Sequence, residues 1–163
     1  MAMPVREVSE LSGEPFAGRV RALREAWIER RQVQGLASSH DFDSQYRLLL
    51  TLQGWAAQAI EDVHAVYGED LYLELSPPPQ QGDRPPSFHV VVAGSFTLSF
   101  TMSERRRMDR TSWFVAVAVR SPGGGPVTTA GPHRRNGQWS RAGLEDLLLS
   151  ILAAYERSLA EAG

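Results

Sequence analysis

Near residue 70 the spacing of apolar side chains changes from the period of a helix to that of a strand. Over 14–34 and 43–67 apolar residues recur every three or four positions, as on one face of an α-helix. From 71 to 119 they alternate with other residues instead, most strictly over 96–102, as in strands with one buried face. After residue 140 the helical spacing returns. The sequence therefore predicts an α+β fold with the order α-α-β-β-β-β-(β)-α.

The predicted strands are joined by short links, and short links favour antiparallel neighbours. The four predicted strands comprise residues 71–75, 88–92, 96–102 and 113–119. Residues 127–130 are the candidate for a fifth strand. We expect a four- to five-stranded antiparallel meander with two N-terminal helices and one long C-terminal helix on one face. Residues 1–13 lack periodicity and are expected to form a loose arm, and 14–163 to form a single α+β domain.

Local signals indicate where the helices begin and end. Asp43 is expected to cap the second helix, because an aspartate at this position accepts hydrogen bonds from the free amides of the first turn. Gly68 ends that helix, and Ser140 begins the last one. The first helix carries an apolar stripe of Phe16, Val20, Leu23 and Trp27.

Composition excludes several kinds of chemistry. The 163 residues include no cysteine, which excludes disulfides, thiolate metal sites and thiol nucleophiles. All 17 basic residues are arginine, so no lysine is present for a Schiff base or a phosphate loop. No apolar run approaches the roughly 20 residues of a membrane helix, and the N-terminus does not resemble a secretory signal. We expect a cytoplasmic protein that does not contact membranes.

Arginines concentrate in the middle of the chain. Residues 71–141 hold nine arginines against four acidic residues, whereas the flanking regions are acidic. In a meander the links 76–86, 104–110 and 131–135 lie at the same end of the sheet. This end is predicted to bind a polyanion or a protein partner through Arg84, Arg105, Arg106, Arg107, Arg110, Arg134, Arg135, Trp113 and Trp139. The alternative is a set of solvated turns.

The sheet face away from the helices is a second candidate surface. Its residues are neither uniformly polar nor uniformly apolar, and its small side chains allow another surface to approach closely. The predicted dimer or ligand face consists of Tyr72, His89, Thr97, Ser99, Phe114, Ala116 and Ala118. The alternative is an ordinary solvated face, which antiparallel sheets tolerate.

Sequence motifs for catalysis are missing. The four histidines show no metal-binding spacing, and no nucleophile elbow or phosphate-binding glycine loop is present. We expect no catalytic residue, no metal and no cofactor. The first hypothesis is a non-enzymatic interaction domain, a homodimer that binds a protein partner. The alternatives are a nucleic-acid or polyanion binder, and a small-molecule-binding protein or enzyme with a pocket near His89.

Overall fold

In the residues that the structure describes, three long helices and four strands follow one another in the predicted order, which confirms the α+β fold. The computed structural model describes residues 5–82, 84–122 and 139–162, with side chains from Pro15 onward. The elements are α1 (Val5–Ser38), α2 (Phe42–Tyr67), a 3-10 turn (Gly68–Asp70), β1 (Leu73–Leu75), β2 (Ser87–Val92), β3 (Phe96–Arg107), β4 (Arg110–Arg120) and α3 (Arg141–Ala162). The candidate fifth strand at 127–130 lies outside the described residues.

The strands form an antiparallel meander in which each strand pairs with its neighbours in sequence. Val92 pairs with Phe96 across a three-residue loop, in which the Ser95 N–H donates to Val92 O at 3.1 Å and Ala93 and Gly94 both have positive φ, as in a type I′ turn. Because side chains alternate along a strand, this register places every predicted apolar position of β2 and β3 on one face. That face is buried from Phe88 to Met102.

The helices α2 and α3 cover the apolar face of the sheet and form the core with it. α2 contacts all four strands, and α3 packs beside α2. The largest fully buried side chains include Phe88, Phe100, Leu48, Leu49, Leu52, Leu98, Met102, Leu147 and Ile151. The helix stripes read from the sequence therefore meet the predicted strand face in a single apolar cluster.

The chain divides between Gln32 and Val33 into two units. The first contains most of α1, which begins at Val5, earlier than the sequence suggests. In this unit the predicted stripe of Phe16, Val20, Leu23 and Trp27 is exposed. The second unit holds the last turns of α1, where Val33 and Ala37 are buried, and the rest of the fold. The loose arm over 1–13 and the single domain over 14–163 stay predictions.

A buried glutamine ties the last turn of α1 to the first turn of α2. The Gln45 side chain is only 2% exposed, and its amide nitrogen lies 2.8 Å from the carbonyl oxygen of Ser39 and 3.2 Å from that of Leu36. The carbonyls at a helix C-terminus lack partners within the helix, and a buried amide satisfies them here. The connection is also tied to the sheet, because Trp113 N–H donates to His40 O at 2.8 Å.

The residue that caps α2 is Asp41, and the prediction of Asp43 is wrong. The Asp41 carboxylate accepts hydrogen bonds from the Ser39 hydroxyl at 2.6 Å and from the Ser44 N–H at 3.0 Å. These two bonds favour the charged form and lower the Asp41 pKa from 3.8 to about 2. Asp43 lies in the first turn, where its charge still suits the helix dipole. Both aspartates suit a cap by type, and only the backbone conformation at Asp41 distinguishes them.

The lowered pKa of Asp41 predicts how the cap responds to acid. The stabilisation should be complete above about pH 5, where the carboxylate is charged in both the folded and unfolded states. It should disappear as the pH falls through about 2, because both states are then protonated. We expect Asp41→Ala to unfold at lower urea concentration than the wild type at pH 6, and the difference to shrink toward pH 2. Asp43→Ala is the control, and a larger loss in that variant would contradict the assignment.

Candidate binding site on an arginine hairpin

The arginines at 105–110 lie on two paired strands, where the sequence suggested a turn. β3 continues to Arg107, β4 begins at Arg110, and these two residues pair with each other. The last β3 residue that pairs with β2 is Thr101, opposite Ser87. Residues 103–114 therefore form a two-stranded ribbon beyond the four-stranded part of the sheet. We call it the arginine hairpin.

A two-residue loop closes the arginine hairpin. Met108 and Asp109 separate the paired Arg107 and Arg110. Met108 has a φ of 53°, the left-handed conformation that two-residue hairpin loops require. Its side chain is fully exposed. The tip of the hairpin thus presents the apolar Met108 and the acidic Asp109 to solvent between two arginines.

The arginines of the hairpin are divided between its two faces. Alternation along β3 and β4 places Arg105, Arg107 and Arg110 on the side that faces away from the helices. Arg106 lies on the opposite side, with Glu104. All five of these side chains are exposed. One face of the hairpin therefore carries three arginines without an acidic side chain among its paired residues.

The ring of Phe114 lies beside Arg105, the one of these three arginines that is nearest the root of the hairpin. The guanidinium carbon of Arg105 lies 6.0 Å from the centre of the half-buried Phe114 ring. A guanidinium over a ring face gains a cation–π attraction and still keeps its hydrogen-bond donors available. This contact restricts the Arg105 side chain near the root of the hairpin and favours one orientation for its charge.

A groove of about 580 Å³ lies at the root of the hairpin. Its walls include the aromatic rings of Phe42 and Trp113, which meet edge to face at 5.0 Å, and the side chains of Arg84 and Glu104. The proline-rich link carries Arg84 to this place, because the Met102 N–H donates to Pro86 O at 2.9 Å. Arg84 is thus the one predicted residue outside β3 and β4 that the described structure places beside the hairpin.

The other predicted members of the arginine end lie in different surroundings. Trp113 is half-buried and lines the groove at the root of the hairpin. Trp139 is 7% exposed and packs in the core, with its ring 6.1 Å from that of Phe100. Arg134 and Arg135 lie outside the described residues.

The predicted dimer or ligand face forms one surface that continues into the hairpin. Across the sheet, His89 pairs with Ser99 and Ser99 with Ala118, and Thr101 pairs with Ala116 in the next row. The adjoining row, Ser103 with Phe114, leads directly to Arg105 and Ser112. The predicted members Tyr72, His89 and Ala118 are exposed, and Thr97, Ser99, Phe114 and Ala116 are half-buried. We call this surface the open face.

In the described part of the chain, a metal site depends on side chains that could hold an ion, and the predicted pocket near His89 depends on where His89 lies relative to two grooves. No group of three histidine, aspartate or glutamate side chains is placed there to hold a metal ion. The exposed His89 lines neither the groove at the hairpin root nor the groove between α2 and α3. Its backbone N–H donates to the Ser76 hydroxyl at 2.8 Å, which joins β2 to the start of the proline-rich link.

These features define a class of protein, an α+β domain with a projecting basic hairpin, but not a family. Comparison with family models, with curated proteins and with solved structures gives no significant match. None of the helices in the described ranges is both long enough and apolar enough to cross a membrane. The geometry of the site must therefore support any functional proposal by itself.

Proposed function

We propose that this protein is a non-enzymatic binding domain that holds duplex nucleic acid through the arginine hairpin. The observation that carries the proposal is the projection of residues 103–114 beyond the sheet with exposed arginines on both faces. Phosphate groups line both walls of a nucleic-acid groove, and a ribbon with arginines on both faces can reach both walls. The cytoplasmic location expected from the sequence belongs to this proposal.

The dimensions of the hairpin suit a groove. The five residues from 103 to 107 extend over roughly 17 Å at the usual rise of a strand. The major groove of B-form DNA is about 12 Å wide and admits a two-stranded ribbon. The exposed Met108 at the tip is an apolar side chain, and apolar side chains in the major groove contact the thymine methyl group. Arginine is suited to the walls, since its planar fork matches phosphate oxygens.

A protein partner on the open face, the first hypothesis that the sequence supports, is the second candidate. Tyr72 is 67% exposed beside the edge strand β1, and on β4, at the other edge of the sheet, the small side chains of Ala116 and Ala118 leave the surface shallow. Such a surface can pack against another sheet or helix. The projection of the hairpin supports nucleic acid over this candidate, because a flat protein interface does not require a basic ribbon that extends beyond it.

Binding to labelled ligands tests the proposal. Fluorescence anisotropy is measured at 50 mM salt with a 20-base-pair duplex, a single strand of equal length and an oligoglutamate peptide. We expect the duplex to bind best, and the variant R105A/R107A/R110A to bind it at least about 10-fold more weakly, because three phosphate contacts are lost. The variant R21A/R47A/R157A removes three exposed arginines elsewhere and should keep the affinity within about twofold.

The other outcomes overturn the proposal in different ways. Equal losses in the two triple variants would show that only the total charge matters and that the hairpin is not the site. Binding to oligoglutamate but not to the duplex would favour an acidic protein partner. The absence of binding to any of the three probes would leave the open face as the candidate for a protein interface.

A further inference from the structure

Two apolar surfaces of this chain are exposed to solvent and have opposite charge at their borders. One is the stripe on α1, formed by Phe16, Val20, Leu23 and Trp27. The other is a groove of about 170 Å³ between α2 and α3, which we call the α2–α3 groove. The proposed role of the arginine hairpin uses neither surface. Contiguous exposed apolar side chains that are rimmed by charged residues mark interaction sites in soluble proteins.

The α1 stripe has arginines along both borders. At about 100° per residue, Phe16, Val20, Leu23 and Trp27 fall within an arc of roughly 60°. Arg19 and Arg30 border this arc on one side, and Arg24 and Arg31 on the other. The exposed fractions of Phe16 and Trp27 are 62% and 53%, so half or more of each ring is free to be buried.

The bordering arginines contact the stripe itself. The guanidinium carbon of Arg19 lies 5.9 Å from the centre of the Phe16 ring, and that of Arg30 lies 5.5 Å from the Trp27 ring. On the back of the helix, opposite the stripe, Glu25 and the half-buried Glu29 lie beside Arg21. The positive charge of this segment is therefore concentrated where a docked surface would meet it.

The α2–α3 groove has the complementary pattern. Its floor consists of Ala59 and Val63 from α2 and Leu148, Leu149 and Leu152 from α3, and Leu149 remains 61% exposed. Its charged lining residues are Asp62 on the α2 side and Glu145 on the α3 side, both exposed. A helix laid in this groove with its apolar stripe inward would bring basic borders onto acidic borders.

Further apolar side chains extend the same surface toward the C-terminal ends of the two helices. Val66 lies one turn beyond Asp62 and Val63 and is 83% exposed, and Leu159 lies two turns beyond Leu152 and is also exposed. From Glu145 to Leu159 the rise of α3 is roughly 21 Å, which exceeds the roughly 16 Å from Phe16 to Trp27. The groove and its extension are therefore long enough for the whole stripe.

We propose that the α1 stripe of one copy docks in the α2–α3 groove of a second copy, and that the exchange is reciprocal in a twofold dimer. The spacing of the stripe, i, i+4, i+7 and i+11, is that of helix-in-groove recognition. Twofold symmetry makes the contact twice. Each copy contributes two exposed aromatic side chains to these contacts, the residue type that dominates the energetics of protein interfaces.

Pairing of two stripes with each other fits the charges less well. Face-to-face stripes would bring the arginine borders of the two helices side by side, and like charges at such positions are repulsive. A basic amphipathic helix can also lie on an anionic membrane. The second copy is favoured over a membrane because the chain itself contains a groove with the length, apolar floor and acidic borders that the stripe requires.

Charge reversal with rescue tests the dimer. Sedimentation velocity on the full chain at micromolar concentrations should show a dimer. We expect R19E/R24E/R30E, and separately D62R/E145R, to weaken dimerisation at least about 10-fold, since each puts like charges along the interface. The variant that combines all five substitutions should dimerise again, because it restores opposite charges. The control R21E/E74R reverses two exposed charges outside both surfaces and should remain dimeric.

Every other pattern contradicts the proposal. A monomeric wild type would exclude the second copy, and a wild type that is monomeric but binds phosphatidylglycerol vesicles would assign the stripe to a membrane. A dimer lost in the stripe variant but unchanged in the groove variant would indicate pairing of two stripes. Failure of the combined variant to dimerise, with circular dichroism unchanged, would show that the two charge sets do not meet.

Discussion

Phe100→Ala is expected to lower the free energy of unfolding by about 4 kcal/mol, the typical cost of truncating a buried phenylalanine. Phe100 is fully buried on β3, and its ring stacks on Phe88 of β2 with centroids 4.7 Å apart. The ring of Trp139, just before α3, lies 6.1 Å away. The substitution removes contacts among three parts of the chain at once, and the surrounding layers cannot close the cavity without moving the sheet.

Urea unfolding monitored by circular dichroism measures this effect. Domains of this kind are stable by about 5–15 kcal/mol, so the loss is a large fraction of the total. Met108→Ala is the control, because that side chain is fully exposed and buries nothing in the core. An unfolding midpoint for Phe100→Ala as close to the wild type as that of the control would contradict the central place of Phe100.

The part of the fold around Phe100 could be predicted from the sequence because two independent signals agree there. The alternation over 96–102 fixes which side chains share a face, and Gly94 allows the turn that sets the register with β2. Because this strand face is apolar, the sequence also predicts that the apolar stripes of α2 and α3 pack against it. Burial of Leu52 and Ile151 against the same cluster follows from this pattern.

The arginine hairpin could not be read in the same way. Residues 104–110 contain no apolar alternation, and charged residues next to one another resemble a solvated turn. The strands continue because β3 and β4 are already paired in register over Phe100 and Val117, so each further pair adds backbone hydrogen bonds. A tertiary constraint, the pairing of β3 with β4, thus determines the structure of this segment. The proximity of Arg84 followed from the meander topology alone.

For the α1 stripe, the sequence predicts the helix but not the surface that its apolar side contacts. The periodicity of Phe16, Val20, Leu23 and Trp27 predicts an amphipathic helix, and the structure contains one. Periodicity does not reveal what covers the apolar face, and in the described chain these side chains are exposed. The arginines along the stripe are visible in the sequence, and the proposed docking into an acidic groove rests on them together with the structure of that groove.

The salt dependence of duplex binding is the second large effect that we expect. Each phosphate contact releases condensed counterions, so the slope of log affinity against log salt is about −0.9 per contact. If Arg105, Arg106, Arg107 and Arg110 each bind one phosphate, the slope is about −3.6, and the affinity falls roughly 100-fold between 50 and 200 mM salt. Anisotropy titrations at four salt concentrations give this slope directly.

Variants that remove the arginines of one hairpin face show how many phosphate contacts that face makes, because each contact contributes about −0.9 to the slope. R105A/R107A/R110A leaves only Arg106 and should reduce the slope to about −1, whereas R106A alone should reduce it by about 1. The exposed Arg47, far from the hairpin in sequence, is the control, and R47A should leave the slope unchanged. If R106A leaves the slope unchanged and the triple variant abolishes it, the hairpin binds with one face only. A ligand held on one face lies across the open face of the sheet, and a groove that encloses the ribbon is then excluded.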